Sequence, residues 1–118
     1  MIVGTGLDLV EIERIKTLYE RKPSFAKRIL TSEEEKIFQT LSDKRKIEYL
    51  AGRFSGKEAF AKAKGTGIGK ELSFQDIDIL NDSFGKPFIN TNKDVQQKIH
   101  ISITHTKAYA AAQVIIEE

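Results

Sequence analysis

Residues 54–62 read FSGKEAFAK. Laid on a helix, Leu50, Phe54 and Ala61 fall on one apolar stripe at steps of three or four, and Glu58 stands in the middle of it. Three readings of that carboxylate compete. It is an exposed residue of a helix in another register, a structural ion pair with Lys62 at i+4, or a metal ligand or general base. The helix itself is well marked. Ser42 and Asp43 cap its start, and it runs to about Lys64. Gly65 is the expected left-handed stop, with Lys62 and Lys64 in the last turn, where the dipole favours cations. Gly52, Gly56, Ala59 and Ala63 form a ribbon of small residues along it. Each helical glycine costs ~1 kcal/mol relative to alanine, so the ribbon predicts close approach by the sheet or by another subunit.

Working outward, residues 2 to 10 read as a strand, with Gly4 and Gly6 allowing another backbone close. A first helix is expected from about Glu11 to Arg21, ended by Pro23. Thr31 and Ser32 followed by Glu33, Glu34 and Glu35 form a capping-box signature for a short helix. Beyond Gly65 the period changes to two. DIDIL (76–80), the turn NDSFG, KPFIN, the alternating Ile99, Ile101 and Ile103, and AYAAAQVII describe strands. The prediction is one α+β domain over residues 1–118, an antiparallel or mixed sheet packed against one long helix and shorter ones.

The 118 residues contain no cysteine, which removes disulfides, thiolate zinc sites and cysteine nucleophiles. No apolar run approaches the roughly 18 residues that span a membrane. The opening MIVGTGLDLVEIERI carries acids where a signal peptide needs a basic start, so a cytoplasmic protein is expected. The net charge of +2 is too small to argue for nucleic acid. Between Arg14 and Arg28, however, six basic residues are opposed only by Glu20. Such a run is either a solvated helix face or a docking surface for an acidic partner.

Asp8 is a second misplaced acid, in the otherwise apolar GLDLV, where an unpaired buried charge would cost several kcal/mol. An acid on a strand and another on the helix over it point to a shared hard cation. Magnesium takes one or two protein carboxylates and completes its octahedron with water and substrate phosphate. Arg53, Lys57, Lys62 and Lys64 crowd the same helix and suit phosphate oxygens. Other signals are weaker. GTGIGK (65–70) follows a helix where a phosphate loop would open one, and reads as a turn. Asp76 and Asp78 alternate with isoleucines as the wet face of a strand, and His100 reads as an outward polar residue. His105 ends its strand at a turn and reads as structural, and no GxSxG elbow supports a hydrolase.

Taken together, GLD (6–8), F-x-x-K-E-A-x-x-K (54–62), GTGI (65–68), GKP (85–87) and SITHT (102–106) resemble the holo-acyl carrier protein synthases. These are the small, single-module 4'-phosphopantetheinyl transferases, and the likeness runs from the first strand to the last. The resemblance implies transfer of the phosphopantetheine arm of coenzyme A to a serine of apo acyl carrier protein, releasing adenosine 3',5'-bisphosphate. It implies that Asp8 and Glu58 hold magnesium against the diphosphate and that Lys62 assists the departing phosphate. Glu58, directly or through a metal-bound water, would take the serine proton. It also implies that the acidic carrier protein docks on the first helices, at Arg14, Arg21 and Arg28 with Phe25 as apolar anchor. A homotrimer is implied, with each cleft shared between subunits. Arg53, Lys64 and Gly65 from one side, and Lys86, Pro87, His105 and Thr106 from elsewhere, would line the nucleotide pocket. Two other classes stand beside this one. A noncatalytic adaptor would bind an acidic protein without needing magnesium, and a magnesium-dependent phosphohydrolase would turn over coenzyme A without an acceptor.

Overall fold

The computed structural model describes residues 1–92 and 96–118. Strand β1 (Ile2–Glu11) leads into α1 (Ile12–Arg21), α2 (Ser24–Ile29), α3 (Ser32–Phe38) and the long α4 (Asp43–Lys64). A 3-10 turn at Phe74–Asp76 precedes β2 (Ile77–Asn81) and β3 (Pro87–Thr91), and β4 (Lys98–His105) and β5 (Tyr109–Glu117) follow. The architecture is α+β, as expected. The strands do not form one meander. They divide into an antiparallel β1-β5-β4 sheet and a separate β2-β3 hairpin. Both face α4, because Gly56 has Ile79 of the hairpin and Ile101 of the sheet directly over it.

The local chemistry explains the helix boundaries. Ser42 Oγ accepts from Arg45 N at the start of α4, and Gly65 ends it at φ 82°. Thr31 and Glu34 complete the capping box of α3. Helix α2 was not legible in the sequence. Pro23 ends α1 as expected, but its own φ of −55° and ψ of −25° are helical, so the same residue starts the next turn. Asp76 is also corrected. It lies in the 3-10 turn, where its carboxylate accepts from Ser73 N and Oγ, and is not on the wet face of a strand.

The small-residue ribbon fits α4 to strands of its own chain. A Cβ at Gly6 would collide with Ala59 O, and one at Gly4 with Ala63 O, so β1 crosses α4 with backbone against backbone. On the other side of the helix ribbon, Gly52 faces Ile103. This contact encloses α4 almost all round: Leu50 to Arg53, Ser55 to Lys57 and Ala59 to Ala61 are buried. Phe54 and Glu58 are half-buried and Lys62 is exposed, a single line at steps of four. Glu58 therefore does not sit inside an apolar stripe. Within the enclosed stretch from Leu50 to Ala61 it stands, with Phe54, on the side that is partly open to solvent.

Candidate active site

Alternation along β1 turns Gly4, Gly6, Asp8 and Val10 toward α4 and leaves Thr5, Leu7 and Leu9 outward. Asp8 thus projects from the strand at the point where the two glycines have let the helix come close. Its side chain is 14% exposed. Lys62 Nζ donates to Asp8 Oδ1 at 3.1 Å and to Leu7 O at 2.9 Å. Ser55 Oγ lies 3.0 Å from Asp8 Oδ2 and 3.1 Å from Asp8 O. The lysine on α4 is therefore paired across to the strand, and not with Glu58 four residues before it.

Glu58 is left beside that pair. Among the described residues no hydrogen bond or ion pair satisfies its carboxylate. Burial raises its pKa above the ordinary 4.5, and the Asp8 charge raises it further, while Lys62 opposes both. Two carboxylates, one on each element, are the hard-oxygen donors available here, the number magnesium takes from protein beside a diphosphate. The Ser55 hydroxyl and the Lys62 ammonium are hydrogen-bonded to one of them. The described residues hold no cluster of three or more acidic or histidine ligands. A cation here would need oxygens from its substrate.

Lys57, expected among the phosphate-binding cations, has to be reassigned. Its side chain and that of Glu34 are both 0% exposed. Its three hydrogens go to Glu34 Oε1 at 2.6 Å, Ile29 O at 2.7 Å and Phe74 O at 3.1 Å. Burial lowers its pKa, and the Glu34 charge opposes that shift. An ammonium with all its donors spent in the interior has none for a ligand.

The residues expected at a nucleotide pocket fall into two places on one chain. Arg53 and His105 line a cavity of about 370 Å³ together with Arg45, Tyr49, Asn81 and Ile103. Arg53 donates to Ile79 O and Asn81 Oδ1 at 3.2 Å each and lies over the Tyr49 ring, 4.2 Å from its centroid. Burial pushes the Tyr49 hydroxyl up to about 12. Pro87 is the register partner of Asn81, and Lys86 N donates to Asp82 Oδ1 in the hairpin turn, but neither lines this cavity. His105 Nε2 is 3.8 Å from Glu48 Oε2, and Thr106 Oγ1 accepts from Ala108 N and Tyr109 N in the β4–β5 turn. Lys64 and Gly65 lie at the C-terminal end of α4, eleven and twelve positions from Arg53, or roughly 16–18 Å along the axis. One chain does not bring these two groups together.

Of the expected docking residues, Arg14 and Arg21 lie on α1 and Phe25 and Arg28 on α2. Arg14, Arg21 and Arg28 are exposed, and among the described residues none of them is in an ion pair. Phe25 packs against Phe54, with centroids 6.2 Å apart, and Phe54 stacks on Phe74 at 5.8 Å. The aromatic row thus ends one helical turn before Glu58. Ser55 and Glu34 were not singled out as site residues from sequence, and Phe54 was read only as part of an apolar stripe and of the family motif. Glu34 was visible only as a cap, and nothing local marks a serine or phenylalanine as adjacent to a carboxylate on another element.

The chain belongs to the 4'-phosphopantetheinyl transferase superfamily, whose family model matches residues 4–114. Within that class it groups with enzymes named holo-[acyl-carrier-protein] synthase. The one from Bacillus pumilus is 59% identical over 117 residues, 99% of this chain and 97% of that protein. Among solved structures, the Bacillus anthracis synthase in complex with CoA (3',5'-ADP) is 46% identical, with a TM-score of 0.93 over 100% of this chain and 98% of that one. The Helicobacter pylori synthase in complex with coenzyme A is 35% identical, with a TM-score of 0.84 over 96% and 99%. The chain is accordingly an enzyme of the holo-[acyl-carrier-protein] synthase class.

Proposed function

We propose that residues 1–118 act as one domain that transfers 4'-phosphopantetheine from coenzyme A to a serine hydroxyl of apo acyl carrier protein, in a magnesium-dependent reaction. The carrier-protein hydroxyl forms a bond to the phosphorus nearer the pantetheine. The bond from that phosphorus to the bridging oxygen breaks, and adenosine 3',5'-bisphosphate leaves with the electron pair. The observation that carries this reading is the meeting of Asp8 and Glu58 across β1 and α4, with Lys62 alongside. Relatives solved with coenzyme A support the donor substrate.

Asp8 and Glu58 would hold the magnesium, which supplies charge neutralisation on the diphosphate. Glu58, whose carboxylate has no hydrogen bond or ion pair among the described residues, would take the serine proton, directly or through a metal-bound water. Lys62 already bridges strand and helix at an exposed position, from which its ammonium can meet the leaving phosphate. The exposed Arg14, Arg21 and Arg28, with Phe25 beside Phe54, offer an acidic carrier protein steering charge and an apolar anchor. On this reading the enzyme would work in the cytoplasm, in fatty acid and lipid biosynthesis.

A homotrimer accounts for two further features. The outward face of β1 carries Leu7 and Leu9, each 65% exposed, beside Asp8. The residues expected at the nucleotide pocket also fall in two places on one chain, Arg53 at the middle of α4 and Lys64 and Gly65 at its C-terminal end. A neighbour covering the first would bring its Arg53 and His105 toward this chain's Lys64 and Gly65. Intact-mass spectrometry tests the reaction. Apo carrier protein incubated with the enzyme, coenzyme A and magnesium should gain one phosphopantetheine group, with equimolar adenosine 3',5'-bisphosphate released. Coenzyme A cleavage without any gain on the carrier would make the protein a phosphohydrolase instead.

A further inference from the structure

Helix α2 is six residues long, has no side-chain N-cap and borders the site through Phe25. A helix that short has marginal stability of its own and must be held by its surroundings. Its C-terminal carbonyls are held from two other elements. Lys57, reaching from the interior of α4, donates to Ile29 O at 2.7 Å. From the 3-10 turn, Gln75 Nε2 lies 2.8 Å from Leu30 O, 2.9 Å from Lys27 O and 3.2 Å from Arg28 O. These are the groups a helix end leaves without partners. The anchor is itself fixed. Glu34, which neutralises Lys57, also accepts from Thr31 N at 2.9 Å and from Ile79 N at 2.7 Å. Replacing such a pair by apolar residues of similar volume is often neutral for stability, so stability alone does not explain it. What an apolar pair could not do is set the positions of separate backbones directionally.

We propose that Lys57 and Gln75 are positioning residues for carrier-protein docking: together they clamp the C-terminal carbonyls of α2 and so set Phe25 and Arg28 relative to Glu58 on α4. The inference rests on α2 being part of the docking surface. Lys57 adjoins Glu58 in the chain, so the clamp ties the place where a partner lands to the helix that carries the carboxylate. Neither side chain touches the reacting groups.

Calorimetric titration with apo acyl carrier protein, and separately with coenzyme A, tests this in the intact protein. Gln75→Met keeps the side chain's length and neutrality and removes both donors. It should weaken carrier binding about tenfold while coenzyme A affinity stays within about twofold and the melting temperature within a few degrees. Lys57→Met combined with Glu34→Gln, which leaves no buried charge, should do the same. If that double variant does not fold, Gln75→Met alone decides. A folded Gln75→Met protein that binds the carrier as wild type does would overturn the proposal. Binding is read without turnover, so carrier that binds wild type but is never modified would contradict the transferase reading and leave the clamp's test intact.

Discussion

Lys57 and Lys62 lie five positions apart on one helix, and each meets a carboxylate, yet the two pairs have opposite properties. Lys57 and Glu34 are wholly enclosed at 2.6 Å, with every donor of the ammonium used. Lys62 and Asp8 are 3.1 Å apart with the lysine side chain 52% exposed, and beside them stands Glu58, which has no ion pair among the described residues. The difference follows from what each face of α4 meets. The Lys57 side is sealed by α2, α3 and the 3-10 turn, while the line through Phe54, Glu58 and Lys62 opens at a seam. A charged pair supports structure when its hydrogen-bonding capacity is saturated, and it is available to a ligand when that capacity is not. The charges are the same in both cases, so enclosure decides.

Breaking the enclosed pair should give the largest effect. Lys57→Met alone leaves Glu34 buried and unpaired, and chemical denaturation should show a loss of ~3–5 kcal/mol. Glu58→Gln should do the reverse. Its melting curve stays near wild type, while carrier modification by mass spectrometry slows ~10²–10³-fold, comparable to removing a group that acts mainly in the transition state. Lys62→Met sharpens the contrast within the open pair, with stability changed by less than ~1 kcal/mol and transfer slowed ~10–100-fold. Arg21→Ala on the rim should lower the association rate with carrier protein by a few-fold, and ~0.5 M salt should erase the difference from wild type.

The smallest effect is on pH dependence. Glu58 has a pKa raised above 4.5 in the folded chain, so between 4.5 and the raised value the native state binds more protons than the unfolded one. Stability then falls as pH rises through that window. In chelator the wild-type melting temperature should drop relative to Glu58→Gln over this range, and the gap should close when magnesium is added.

The sequence carried most of the architecture, because strong caps and a change of period mark it. Ser42, Thr31 and Gly65 placed helix ends directly, and Gly4 and Gly6 announced the close crossing that the structure places over Ala63 and Ala59. Asp8 and Glu58 could be suspected as a pair because each is an acid among apolar neighbours. Which lysine serves them could not be read, since Lys57 and Lys62 differ only in what other elements cover. The partner of Lys57 is Glu34, 23 positions away. Helix α2 escaped notice because Pro23 reads as a stop and only its backbone angles reveal it as a start as well. The division of the strands into two sheets is likewise a matter of tertiary pairing, which periodicity does not encode.

The central claim is that Asp8 and Glu58 jointly hold a divalent cation between strand and helix. Manganese binding, followed by electron paramagnetic resonance with coenzyme A present, tests it most directly in wild type, Asp8→Asn and Glu58→Gln. The account predicts one bound ion per chain in wild type and affinity at least about tenfold weaker in each variant, with folding intact. Equal affinity in all three proteins would contradict it and move the cation, if one is used, away from this pair.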